Sequence, residues 1–193
     1  MKSFITTAVL LLIAAGLFAQ APHKYEIKCG IVKTVTDNGG RKSYNTLWFD
    51  DYGAREKSVV TMDMGGGMGD AEWITISLED GKSYMLDKTR KTATIMNRQD
   101  VNYLDMPEDV AKARKAKIIG EETIDGRKCV KWEEHVKQIL HTATMVSWVW
   151  KGIPIQYTID KPNSKTTLIS IEQPKSISPS TFAIPEDYNR KQL

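Results

Sequence analysis

The chain has three histidines and two cysteines in 193 residues. These shortages remove most ways in which a small protein holds a metal or builds a nucleophile. His23 lies near the start of the mature chain, where order is least expected. His135 and His141 are six apart on an expected strand, so about 20 Å separates them and they cannot share one ion. Cys29 and Cys129 lie in no CxxC or zinc-ligand spacing, which argues against dithiol redox chemistry. There is no GxSxG elbow, no HExxH and no P-loop, so no catalytic machinery is visible and no cofactor is expected. Asp50-Asp51, Glu121-Glu122 and Glu133-Glu134 are carboxylate pairs. Adjacent strand residues point to opposite faces, so these read as solvated surface acids.

Excess charge is also missing. The formal net charge of +3 comes from 27 basic and 24 acidic residues scattered among one another, which gives no reason to expect a nucleic-acid partner. Long apolar runs are missing except at the amino terminus. There Lys2 precedes the run Ala8–Phe18, followed by Ala19-Gln20-Ala21. A charged start, a short apolar core and a small-x-small site predict a secretory signal peptide over 1–21. The run is too short for a permanent transmembrane helix, and no later stretch of the mature chain is long enough to span a bilayer. Residues 22–193 are then one exported domain, long enough for a single core. In an oxidising compartment a Cys29–Cys129 bridge would close a loop of about 100 residues and contribute roughly 4–5 kcal/mol. Two buried thiols on different strands are the alternative, and sequence leaves both open.

What the chain does have is strand. Thr144–Ile159 carries two of the five tryptophans. Val146, Trp148 and Trp150 alternate with Met145, Ser147 and Val149, the mark of a half-buried strand. Gly152-Ile153-Pro154 breaks the run, and Ile155, Tyr157 and Ile159 then share a face. Similar patterns predict strands at Tyr25–Thr36, Tyr44–Asp50, Arg55–Met64, Trp73–Leu78, Ser83–Asp87 and Thr92–Met96. They recur at Lys117–Thr123, Arg127–Glu134, Gln138–Trp150, Ile155–Ile159 and Thr166–Glu172. Turn signals such as Asp37-Asn38-Gly39-Gly40 and Asp80-Gly81 separate them at the spacing of an all-β fold. One stretch, 107–117, reads as a helix: proline first, then acids, then bases, with a thin apolar face of Val110, Ala113 and Ala116. Its basic side reads as solvated surface. The proline-marked tail Ile177–Pro185 is expected to pack as an edge segment.

Large or adaptable apolar residues recur through these strands: Trp48, Met62, Trp73, Met85, Met96, Met145, Trp148, Trp150 and Tyr157. One short helix cannot cover some ten strands. Either the sheet closes on itself around these residues or it keeps a concavity for a small apolar ligand. Gly65–Gly69 lacks the lysine and following helix of a phosphate cradle, so it reads as a hairpin connection. Met62, Met64 and Met68 could offer three soft sulfur ligands to Cu(I). Met62 and Met64 are also placed as core methionines would be.

Several stretches resemble the lipoprotein-localisation family of the LolA/LolB type, and more closely an uncharacterised exported branch related to it. The residues concerned are Tyr25-Glu26-Ile27-Lys28, Leu47–Gly53, Gly120–Cys129, Trp148–Pro154 and Phe182–Tyr188. The resemblance implies a strongly curved antiparallel sheet, an incomplete barrel, with a helical lid over an apolar concave face. It also implies the periplasm or cell envelope as location. The expected function is an exported binding protein holding a lipid or lipoprotein acyl chain on that face, and not an enzyme. The alternative is an envelope scaffold or protein-interaction module whose core is filled by its own side chains.

Overall fold

A computed structural model describes residues 23–65, 69–137 and 141–192. The expected signal peptide, Met68 of the methionine trio and residues 138–140 at the expected start of a strand lie outside the described residues. The strands are β1 (Gly30–Asn38), β2 (Arg41–Asp50), β3 (Arg55–Asp63), β4 (Asp70–Ser77), β5 (Lys82–Asp87) and β6 (Thr92–Asn97), followed by helix α1 (Glu108–Arg114). Then come β7 (Lys117–Ile124), β8 (Arg127–Lys137), β9 (Thr142–Trp150), β10 (Ile153–Ile159), β11 (Ser164–Glu172) and β12 (Asn189–Gln192). All twelve join one curved sheet that does not close into a barrel, in the order β12-β6-β5-β4-β3-β2-β1-β11-β10-β9-β8-β7.

Two antiparallel meanders account for that order. Strands β1 to β6 step outward by hairpins; β7 to β11 step inward from the far edge until β11 pairs with β1. Residues 98–116 connect the two, running along one end of the strands and over one face. Arg98 donates to the carbonyls of Gly53 and Ala54 there, and Arg114 reaches Glu134 on β8. The tail crosses the other face. Ile177 and Phe182 are buried in a cluster with Ile74, Ile76, Tyr84, Leu86 and Ala93. The tail therefore covers a face, and only β12 lies at the edge, pairing parallel with β6. Its four residues, Asn-Arg-Lys-Gln, carry no strand signal in sequence.

The amino-terminal segment differs from expectation in a similar way. Tyr25, Ile27 and Cys29 are buried in alternation, but the strand begins only at Gly30. The backbone of 24–28 bonds to turns instead: Lys24 and Tyr25 N–H donate to the Tyr52 carbonyl, Glu26 N–H to Lys151, and Tyr52 N–H to Lys28. The segment thus ties the β2–β3 turn to the β9–β10 turn and closes one end of the sheet. Two glycines make room. A Cβ on Gly53 (φ +90°) would lie 2.8 Å from the Tyr25 ring, and one on Gly152 (φ +82°) would strike the Lys24 carbonyl. The helix is shorter than the sequence suggests and turns Val110, Ala111 and Arg114 inward, leaving Ala113 exposed.

Candidate functional site

Residues directly opposed on neighbouring strands point to the same side of a sheet, so the register sorts side chains into two faces. The face beneath residues 98–116 is called the lid face and the other the tail face. One row on the lid face runs Ile118, Trp132, Ser147, Tyr157, Thr166, Thr36, Ser43, Met62 and Ala71. Small hydroxyl side chains occupy its middle, with Trp132 and Tyr157 on one side and Met62 on the other. Of these hydroxyl residues, Ser43, Ser147 and Thr166 are buried between their taller neighbours.

Six of the nine apolar residues singled out from sequence share this face: Met62, Trp73, Met85, Met96, Met145 and Tyr157. None is buried; Trp73 and Met85 keep 44% and 40% of their surface exposed. The other three alternate to the tail face. Trp48 packs against the cluster under the tail. Trp148 is 8% exposed, and its indole N–H donates to Glu122 Oε2 at 2.7 Å, which holds that carboxyl below its ordinary range. Trp150, at the end of β9, lies between the Arg127 and Lys151 cations and borders a cavity described next. The run that looked most like a binding surface therefore faces mainly away from the lid.

Beneath the lid lies a cavity of about 430 Å³. Tyr103 and Leu104 form its cover, and Ile118, Val130, Trp132, Val149 and Trp150 are among its walls. The Tyr103 and Trp132 rings meet at 5.7 Å between centroids. Glu134 stands beside this site and is fully buried. It accepts from Arg114 Nε at 2.6 Å and from the Tyr103 hydroxyl at 2.6 Å. Burial, then the Glu134 carboxylate, push the Tyr103 hydroxyl well above its ordinary pKa, so it stays a donor. Reading Glu133-Glu134 as two solvated acids is thus corrected. Glu134 falls in phase with Trp132 and Val136 on the lid face, and that pattern could have revealed it.

A second polar cluster closes the base. Glu56, on the lid face of β3, accepts from Lys24 Nζ at 2.9 Å, from Arg98 Nη2 at 3.0 Å and from the Tyr25 hydroxyl. Asp100 accepts from Lys24 Nζ at 2.7 Å and Arg98 Nε at 2.6 Å. Burial would raise the Asp100 pKa, but Lys24 and Arg98 outweigh it and hold the carboxyl below its ordinary value. Burial and then Glu56 push Tyr25 far up. Sequence did not mark Lys24, Glu56, Arg98 and Asp100 as a cluster, because Glu56 is more than thirty positions from each of the cations it holds.

Cys29 and Cys129 are both free and buried, in separate core clusters. Cys29 donates weakly to the Pro174 carbonyl, and Cys129 to that of Arg127. Met62 and Met64 are described, Met64 exposed beyond the end of β3. Among the described residues no group of His, Cys, Asp or Glu is placed to hold a metal ion, and no helix is long and apolar enough to cross a membrane.

No family model and no curated protein matches the chain. Solved structures do. An uncharacterized conserved protein from Thermus thermophilus superposes with a TM-score of 0.55 at 8% identity, over 86% of this chain and 91% of that one. PNGF-II superposes at 0.50 and 10% identity over 86% of this chain, which spans only 31% of PNGF-II. The Mycobacterium tuberculosis lipoprotein LppX is more distant, at 0.37 and 11% identity over 79% of this chain and 91% of its own. At such identities the likeness concerns the fold alone.

Proposed function

We propose that the protein is an exported, non-enzymatic carrier that holds an acyl chain of a lipid or lipoprotein against the lid face. One observation carries this reading. The tail face is sealed over β4–β6 by the chain's own residues, whereas Met62, Trp73, Met85, Met96, Met145 and Tyr157 on the lid face remain accessible. The cavity under Tyr103 and Leu104 lies against β7–β9, apart from those six residues, and has a volume in the range of small-ligand sites. Burial of an acyl chain there would be favourable by roughly 25 cal/mol per Å². Export rests on the amino-terminal apolar run.

The test is lipid recovery by native mass spectrometry together with titration of a fluorescent fatty acid. Saturable binding that weakens in Trp73→Ala and Trp132→Ala supports the carrier reading. A lipid-free protein that ignores the probe contradicts it. A protein-interaction module is the second reading, favoured by Ile118 and Ile119 standing exposed on edge strand β7. A partner crosslinked through β7, with no lipid bound, would support it.

A further inference from the structure

The two ends of the strands differ in how their charges are matched. At the base, closed by the amino-terminal segment, Asp51, Glu79 and Asp80 stand among Lys24, Arg55, Lys82, Arg98 and Lys151. At the far end, β2, β1, β11, β10, β9 and β8 lie side by side. There Arg41, Lys42, Lys137, Lys161 and Lys165 are all exposed. None of the five has an ion-pair partner among the described residues. The acids among them, Asp37 and Asp160, accept from the backbone N–H groups of Gly40 and Thr144.

The lid face opens at this same basic end. Met62 and Met145 lie near the ends of their strands on the lid face, Met64 is exposed just past the end of β3, and Tyr44 is exposed on the tail face of β2. An open hollow of about 1040 Å³ at this end is bordered by the Gly39-Gly40 turn, Arg41, Lys42 and Asp63 and by Met62 and Tyr44. Cations ringing exposed aromatic and aliphatic groups match the interface of an anionic bilayer: phosphates meet the ammonium and guanidinium groups, and the apolar groups enter the headgroup layer.

We infer that the basic end docks on the surface of an anionic lipid bilayer and presents the lid face to the membrane. An acidic protein or a nucleic acid would use the cations but has no need of the exposed Met64 beside them. The use of docking for lipid transfer rests on the function proposed above; docking itself does not.

The experiment is co-sedimentation of the full chain with phosphatidylglycerol/phosphatidylcholine vesicles and with pure phosphatidylcholine vesicles, at low and high salt. Wild type and the triple variant Arg41→Gln, Lys42→Gln, Lys161→Gln share the same amino terminus, so that terminus cannot account for a difference between them. Circular dichroism checks the fold of both. The inference expects salt-sensitive binding to anionic vesicles only, weakened about a hundredfold in the triple variant at roughly fivefold per cation. Fatty-acid affinity should be the same in both proteins. Equal partitioning onto neutral vesicles, or a triple variant that still binds like wild type, would overturn it. So would heparin binding without vesicle binding. Vesicle binding without fatty-acid binding would remove the proposed ligand site and leave the docking surface standing.

Discussion

Glu134 and Arg114 meet at 2.6 Å with the carboxylate fully buried and the guanidinium still partly in water. The pair fastens residues 98–116 to β8, and the Tyr103 hydroxyl adds a second bond to the same carboxylate. Removing one partner of such a pair is costly because the other is left unmatched. Arg114 can turn toward solvent, which moderates the loss. Glu134→Gln is expected to lower unfolding stability by about 2 kcal/mol. Tyr103→Phe should cost about 1 kcal/mol. Denaturant titration measures both, and amide exchange should rise over 98–116 before it rises elsewhere.

The base cluster predicts acid sensitivity. The folded state holds the Asp100 pKa below its ordinary value of 3.8. A depressed carboxylate pKa means that the unfolded chain binds the proton more readily. The stabilisation is therefore complete above the ordinary value and is lost as pH falls through the lower, folded one. Stability measured from pH 6 to pH 3 should fall less steeply below pH 4 in Asp100→Asn than in wild type. Parallel curves would remove Asp100 from the acid response.

Gly152 tests how the amino-terminal segment is held. Its φ of +82° and the Lys24 carbonyl lying where a Cβ would go leave no room for a side chain. Gly152→Ala should destabilise by about 2 kcal/mol or more. It should also expose residues 24–28 to limited proteolysis. Gly39→Ala meets no atom within 4 Å and pays only the backbone strain of its φ of +67°. It should cost about 1 kcal/mol and leave the amino-terminal segment protected.

The tryptophans separate packing from binding. Trp148 is sealed and hydrogen-bonded, so Trp148→Ala should cost about 3–5 kcal/mol. Trp73 is 44% exposed, and Trp73→Ala should cost about 1 kcal/mol or less. Thermal or chemical denaturation distinguishes them directly.

Much of the fold was legible because strand signals are local. Period-two alternation and glycine turns located eleven of the twelve strands closely enough to predict a curved antiparallel sheet. β12 was not legible, since its four polar residues are held only by β6 across a long connection. Tyr25–Cys29 alternates like a strand because alternate residues face the core, yet its backbone partners are turns. The site was half legible. Alternation separates Trp148 from Met145 but cannot say which of them faces the lid; that depends on where 98–116 crosses. Glu134 shows a clearer missed signal, a carboxylate in phase with Trp132 and Val136 that called for a cation from elsewhere.

The central claim is that the lid face is open for a guest. Its most direct measurement is fluorescent fatty-acid binding to wild type, Trp73→Ala, Met85→Ala and Trp48→Ala, each first checked for an intact fold. The two lid-face variants should bind at least tenfold more weakly, with Trp48→Ala close to wild type. No saturable binding by wild type, or equal affinity in all four proteins, would contradict the claim.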